Sequence, residues 1–268
     1  METKVVSFIG RILLKLHSSR LFKIIVGISR FILPKGEKIY IVYNGLKMGI
    51  DLGRALERGT FFSGAEPIVI EKFLSVLSNG DTVIDVGAFI GTHTLLAARQ
   101  VGPDGLVISL EPNPQSYNRL MRNIELNEFT NIKVFNCAAG EKSGMKHFII
   151  KSFLSNIDSL NQSRVVVEVK TLDDIIKENR IESVKLIKID VEGYEYTVLK
   201  GLTDSFKKHM IKNLLIEVHP IFLSRYRSSI YDIYKLLERY EFTWEEFKEP
   251  GHRQRGKFYI FAHARVQS

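Results

Sequence analysis

Two short runs of the sequence place acids and an imidazole where they could handle a proton. They are Asp190 and Glu192 in Lys188-Ile189-Asp190-Val191-Glu192-Gly193, and Glu217 and His219 in Glu217-Val218-His219-Pro220. Each run follows an apolar, strand-like stretch, so all four side chains are expected at the carboxyl ends of neighbouring strands. An acceptor oxygen that attacks an electrophilic carbon must lose its proton and align with that carbon. Positioning can supply most of the acceleration, and a base within hydrogen-bond reach adds about 10²–10⁴-fold. An unperturbed imidazole titrates near neutrality, whereas a carboxylate needs burial to become as basic. His219 is therefore the expected base, with Asp190 and Glu192 orienting the acceptor or a cationic group. The alternative for His219 is a strand end capped by a polar turn. The four residues could also gather round a divalent cation, but no local spacing of metal-ligand type supports this, and no metal is expected.

A second constellation would bind rather than react. Asp85-Val86-Gly87-Ala88-Phe89-Ile90-Gly91 joins an apolar run to an amphipathic one, and its two glycines four apart let the backbone approach a ligand closely. The spacing departs from the G-x-G-x-x-G that cradles a dinucleotide pyrophosphate. Asp85, directly before the turn, would repel a diphosphate but welcome an ammonium. Glu111, in Leu110-Glu111-Pro112-Asn113-Pro114, stands where it could accept hydrogen bonds from both hydroxyls of an unphosphorylated ribose. Together Asp85, Gly87, Gly91 and Glu111 describe a pocket for a nucleoside joined to an amino acid, as in S-adenosylmethionine. A nicotinamide enzyme would share the glycines and the role of Glu111.

To position these residues the chain must alternate strands and helices, and from residue 82 it does. Strands are expected at Thr82–Val86, Leu106–Leu110, Ile132–Asn136, Val184–Ile189, Leu214–Val218 and Phe258–Ala262. Helices are expected at Thr92–Val101, Pro114–Asn127, Thr171–Asn179, Tyr194–Lys200 and Ile230–Tyr240. The rhythm breaks at Met145–Lys151 and Val165–Lys170, read as a hairpin arm whose polar tip, Ser152–Ser163, could touch substrate. Ahead of this domain, Ile39–Tyr43 and Leu46–Asp51 flank Asn44-Gly45, a tight hairpin turn, and Pro67 opens a helix over Ile68–Leu77. The expected divisions are a basic amphipathic segment (1–36), a small β-hairpin and linker unit (37–65) and the main domain (66–268).

Four runs together resemble the FkbM family of methyltransferases: Val86-Gly87-Ala88-Phe89-Ile90-Gly91-Thr92-His93-Thr94, Leu110 to Pro114, Ala138-Ala139-Gly140 and Leu186 to Glu195. Lys188 to Gly193 is the most distinctive part. The resemblance implies a class I S-adenosylmethionine-dependent enzyme with an α/β, doubly wound, mostly parallel seven-stranded (Rossmann-like) sheet, acting on a hydroxyl of a small molecule or glycan. It further implies that Asp85, Gly87, Ala88 and Gly91 hold the methionine part of the donor and Glu111 the ribose. Asn113, Cys137 and Ala138 would surround the adenine, Thr92 and His93 would lie at the mouth, and Asp190 would face the sulfonium. Phe89 departs from the family pattern, which more often has a small polar residue there.

Composition narrows the alternatives. Of the net charge of +8, residues 1–40 carry +6, from eight bases and two acids, so the body is nearly neutral and does not look built to track a phosphate backbone. Acids beside the donor also argue against a nucleic-acid acceptor, and Asp190-Val191-Glu192-Gly193 stands where methylases of exocyclic base nitrogens usually carry an Asn or Asp followed by Pro-Pro-aromatic. The basic front end alternates Lys4, Arg11, Lys15, Arg20, Lys23 and Arg30 with apolar residues. Through residues 1–33 it could lie on an anionic membrane or pack on the body or a partner. No span or signal peptide is expected, and the single cysteine asks for no oxidising compartment. The expected location is the cytoplasm, with peripheral attachment at the inner membrane surface as one use of the basic segment. A catalytically silent membrane or partner-binding module on the same fold is the remaining alternative.

Overall fold

The structure is a computed structural model that describes residues 36–42, 45–54, 57, 66–151, 162–249 and 256–265, with side chains omitted at 148–151 and 162–165. The basic segment over residues 1–35, the Asn44 turn, most of the arm tip and the loop over 250–255 lie outside these. In chain order the elements are β1 (Glu37–Val42), β2 (Leu46–Asp51), α1 (Pro67–Ser75), β3 (Thr82–Val86), α2 (Thr92–Val101), β4 (Leu106–Leu110), α3 (Pro114–Leu126), β5 (Ile132–Phe135), β6 (Ala138–Ala139), β7 (Gly144–Lys151), β8 (Gln162–Lys170), α4 (Leu172–Glu178), β9 (Leu186–Ile189), α5 (Glu195–Lys200), α6 (Thr203–Lys207), β10 (Asn213–Val218), α7 (Pro220–Leu223), α8 (Ile230–Arg239), β11 (Phe242–Phe247) and β12 (Phe258–Ala264).

Seven strands form one sheet in the order β11-β12-β10-β9-β3-β4-β5. β3, β4, β5, β9 and β10 run parallel, and β12 is antiparallel to both β10 and β11. The chain enters at the central β3, moves outward through β4 and β5, then returns to the other side of β3 with β9. That reversal opens a crevice at the carboxyl ends of β3, β4 and β9, the usual ligand position in such sheets. The parallel strands are covered on both faces, as their uninterrupted apolar runs require. Ile84, Ile187 and Ile216 pack against α4, α5 and α8, while Val83, Leu186 and Leu215 pack against α1 and α2. Strand alternation puts Asp85 on the α2 side with Val83. Among the described residues, no helix is long and apolar enough to cross a membrane.

The structure refines several expectations. Val184 makes only an isolated bridge to Ile211, so β9 begins at Leu186. β11 was not expected, because two of its six residues are glutamates on an outer strand. The short α6 and α7 also escaped, since one helical turn leaves little periodicity to read. The arm forms as the antiparallel pair β7 and β8, with β8 also pairing with β6. The β1–β2 hairpin shares a core with the domain behind it: Tyr40, Val42, Leu46, Met48 and Ile50 pack with Ile90, Leu95, Leu120 and Ile124.

A buried ion pair fastens this hairpin to α3. Arg119 Nη1 and Nη2 reach the two oxygens of Glu57 at 2.6 and 2.7 Å, Nη2 also donates to the Gly49 carbonyl at 3.0 Å, and Nε lies 3.0 Å from Glu37. Glu57 has no solvent exposure. Removing the guanidinium leaves this buried charge, among the described residues, only Arg54, at 3.1 Å, and the Asp51 N–H, so Arg119→Met should cost about 3 kcal/mol of unfolding free energy. Urea denaturation measures the loss.

Candidate active site

The turn between β3 and α2 is shaped by close backbone contact. Gly87 has φ +81°, and a Cβ there would stand 1.9 Å from the Asp190 carbonyl oxygen, so only glycine lets the end of β3 pass the end of β9. Phe89 is also left-handed, at φ +52°, a conformation that a bulky side chain adopts at a cost and a small polar one accepts more readily. The Phe89 N–H donates to Glu111 Oε2 at 2.8 Å, and the Asn113 N–H donates to Glu111 Oε1 at 2.9 Å. Each carboxylate oxygen keeps another lone pair for a ribose hydroxyl.

Burial raises the Glu111 carboxyl to about 7; the two N–H bonds oppose this, and the negative charges of Asp85 and Asp190 add to it. The consequences for folding and for binding have opposite signs. A carboxyl raised in the folded state supports stability at acid pH and loses that contribution as pH climbs through the folded value. If the ribose requires the ionised form, donor affinity instead climbs over the same interval. Between pH 6 and pH 8 the dissociation constant of S-adenosylmethionine should tighten about tenfold, as the protonated fraction around a pKa near 7 dictates. Glu111→Gln should bind weakly with a flat profile, and isothermal titration across pH reads both.

Asp85 is fully buried. Its Oδ2 accepts a hydrogen bond from Thr94 Oγ1 at 2.7 Å, and Thr94 in turn lies 2.9 Å from Ser109 Oγ. Lys188 stands opposite Asp85 in the β3–β9 register. Its ammonium is 3.8 Å from Asp85 Oδ1 and 3.5 Å from Asp190 Oδ2. Burial nevertheless raises the Asp85 carboxyl above its ordinary range, against the pull of Lys188 and Thr94. The expectation of Asp85 as an open seat for an ammonium is thus amended, because the first cation it meets is the chain's own lysine. Its other oxygen, Oδ1, is buried, accepts no hydrogen bond and faces the Lys188 ammonium.

The other expected donor contacts are placed unevenly. Ala88 is buried, and Thr92 and His93 open α2 partly exposed, as residues at a mouth would be. His93 packs edge-on against Phe73, its Nε2 is sealed without a partner, and burial, with Lys188 assisting, holds the ring well below its ordinary value and hence neutral. The Asn113 side chain caps α3, accepting from the Gln115 N–H at 2.9 Å. The Cys137 side chain belongs to the main core, and burial pushes its thiol up to about 12. Ala138 is buried and pairs with Val169.

At the carboxyl ends of β9 and β10 the structure brings the four acceptor-side residues together. His219 Nε2 lies 3.1 Å from Glu217 and 3.6 Å from Glu192, and Nδ1 lies 3.2 Å from Glu195. Burial alone would lower the imidazole, but the surrounding carboxylates prevail and raise it to about 10. This overturns the reason for expecting His219 as the base, since a ring held protonated has no lone pair to offer. Sequence reasoning missed Glu195, Lys257 and Glu66. Glu195 also accepts from the Gly193 N–H at 2.8 Å; Lys257 pairs with Glu217, and with Glu66 at 2.8 Å; and Tyr259 donates to Glu66. A glutamate without solvent exposure, as Glu195 is, was the one available signal, and burial is not readable from residue type. Phe222 stacks on His219, and the Arg225 guanidinium lies 4.5 Å over the Phe222 ring, which brings an exposed cation to the edge of the cluster.

The model of the methyltransferase FkbM domain matches residues 85–243. Hexuronic acid methyltransferase AglP of Haloferax volcanii is 27% identical over 156 residues, covering 58% of this chain and 62% of that protein. Methyltransferase 1 of Beauveria bassiana is 28% identical over 177 residues, covering 56% of this chain and 70% of that protein. This chain therefore spans less than two thirds of the archaeal relative's length. Among solved structures, Trm5b from Pyrococcus abyssi superposes with a TM-score of 0.50 at 14% identity, covering 86% of this chain and 56% of that one, a likeness of fold alone.

Proposed function

The chain belongs to the FkbM family of S-adenosylmethionine-dependent methyltransferases, and on that premise we propose that it methylates a hydroxyl of a saccharide, free or carried on a lipid. The observation that carries this reading is the adjacency of two features across the β3–β9 contact. On one side are the glycine turn and Glu111; on the other is a carboxylate cluster whose first member, Asp190, touches Gly87 through its backbone. The residues suit the donor. A cradle that a single Cβ would fill, a buried Asp85 oxygen that accepts no hydrogen bond and a cluster of acids match a ligand with a close-fitting body and a cationic end. When bound, S-adenosylmethionine supplies a methyl group on a positively charged sulfur.

The chain's own residues then have three tasks. Glu111 fixes the ribose, and with it the register of the donor in the crevice. Asp190 is half-buried and braced by Lys188, and its task is to orient the acceptor beside the donor. Glu192, with a side chain 68% exposed, is open to an incoming hydroxyl. With His219 held protonated, removal of the acceptor proton falls to the carboxylates of this cluster. Because positioning dominates such displacements, their orienting role accounts for most of the rate.

The saccharide assignment draws support from the hexuronic acid named for the archaeal relative. Arg225 adds to it: a guanidinium beside the cluster suits the carboxylate of an acidic sugar. A panel of neutral and uronic acid glycosides incubated with methyl-labelled S-adenosylmethionine tests the proposal. Label should appear in an alkali-stable methyl ether, and Arg225→Gln should raise KM for uronates more than for neutral sugars. Label found only in methyl esters, or in no sugar, would contradict it. Attachment of residues 1–33 to a membrane, which would bring a lipid-linked acceptor close, is part of the same proposal and is tested by liposome flotation with and without that segment.

A further inference from the structure

We propose that Asp190, Glu192 and His219 form a site for a divalent cation of the magnesium or manganese type, which grips the acceptor through its reacting hydroxyl and a second oxygen beside it. This rests on the methyl-transfer reading above and deepens it by defining the acceptor class: vicinal diols and hydroxy acids, in place of isolated alcohols. Each of the three residues offers one ligand atom, and these atoms all lie within 4.8 Å of one another. Adjacent ligands on a small hard cation at about 2.1 Å stand about 3 Å apart, so a modest contraction closes the set.

The histidine supplies the independent observation. His219 is 6% exposed, and its buried Nε2 faces Glu217 at 3.1 Å and Glu192 at 3.6 Å without a well-aligned hydrogen bond to either. Behind it, Nδ1 stands 3.2 Å from Glu195 Oε1, and Glu195 is itself fixed by the Gly193 N–H. A carboxylate behind one ring nitrogen holds the proton on that side and presents the other nitrogen as a ligand, the arrangement that orients metal-binding histidines. A cation at Nε2 takes the place of a proton on that nitrogen.

Charge and access agree. Among the described residues, six carboxylates, of Glu66, Asp85, Asp190, Glu192, Glu195 and Glu217, are linked by ion pairs to three cations, Lys188, Lys257 and the His219 ring. Exposure increases from His219 through Asp190 to Glu192, so the cation would be held on the protein side and open on the other. Mg²⁺ and Mn²⁺ sites commonly use one or two carboxylates and leave positions for water and substrate. Oxygen ligands with one imidazole also suit Mn²⁺.

Mn²⁺ is the probe, followed by loss of the free-ion electron paramagnetic resonance signal as full-length protein is titrated, with S-adenosylhomocysteine binding measured on the same samples. One Mn²⁺ per chain is expected, weakened at least tenfold in Glu192→Gln, a surface change that spares the fold, and further in His219→Gln. Sugars with vicinal hydroxyls should alter the bound-ion signal, and a sugar blocked at the neighbouring oxygen should not. If the protein takes up S-adenosylhomocysteine but no Mn²⁺ up to about 1 mM, a free energy near −4 kcal/mol, the cation site is wrong and the methyl-transfer reading stands. Uptake that Glu192→Gln leaves unchanged also overturns the site. If neither ligand binds, the methyl-transfer reading itself fails.

Discussion

Gly87→Ala should weaken donor binding at least about 10²-fold, whereas Gly80→Ala should preserve it. Both glycines are left-handed, at φ +83° for Gly80 and φ +81° for Gly87, so both substitutions carry a similar backbone cost of about 1–3 kcal/mol. Their surroundings differ. A Cβ at Gly80 meets nothing within 4 Å, whereas one at Gly87 falls 1.9 Å from the Asp190 carbonyl oxygen. That oxygen belongs to the backbone and cannot rotate away, so the ends of β3 and β9 must part. The parting displaces Asp85, Asp190 and the turn that carries the Phe89 N–H to Glu111. A misplacement of about 1 Å in a reacting geometry costs about 10²-fold. Gly87→Ala should therefore lower S-adenosylmethionine affinity and turnover at least that far in whatever fraction folds, with Gly80→Ala unchanged in both. Calorimetry and labelled-methyl assays on the two variants, each normalised to its folded fraction by circular dichroism, decide the matter.

Lys188→Met carries the largest expected loss of stability at the site. Its ammonium is almost wholly buried and lies between Asp85 and Asp190. Without it, Asp85 is left fully buried with one oxygen on Thr94 and nothing to balance its charge. Stranding one partner of a buried pair costs about 3–5 kcal/mol, measurable as a shift in the urea midpoint. In the double variant Lys188→Met/Asp85→Asn the stranded charge is gone, and about 1–3 kcal/mol should return as the coupling between neighbours. A double variant no more stable than the single one would show that the lysine serves Asp190 alone.

Much of the scaffold could be read directly from residue patterns, because parallel strands buried on both faces give unbroken apolar runs and the helices between them give clear 3.6-residue periodicity. The glycine turn was equally legible: Gly87 and Gly91 mark backbone positions that other residues resist. Lateral neighbours were not legible. Nothing along the chain states that Lys188 lies beside Asp85, since that follows from the β3–β9 register, and so the ammonium that Asp85 first meets went unseen. The same holds for His219, whose state is set by Glu195, Glu192 and Glu217 on three separate segments; considered alone it resembles an imidazole that titrates near neutrality. Side chains drawn together from the ends of two strands leave no spacing motif either, so the proximity of Asp190, Glu192 and His219 could not be read along the chain. Cys137 and Asn113, placed near the adenine by the family resemblance, also carry structural duties that residue type does not announce, one in the core and the other as a helix cap.

The central claim is that the crevice between β3, β4 and β9 holds S-adenosylmethionine with Glu111 on its ribose. Isothermal titration of S-adenosylmethionine into the full-length protein and into Glu111→Ala tests this most directly. One donor per chain with micromolar affinity, weakened at least tenfold by the substitution, is the result the account predicts. No binding to the unmodified chain, or equal binding by both proteins, would contradict it.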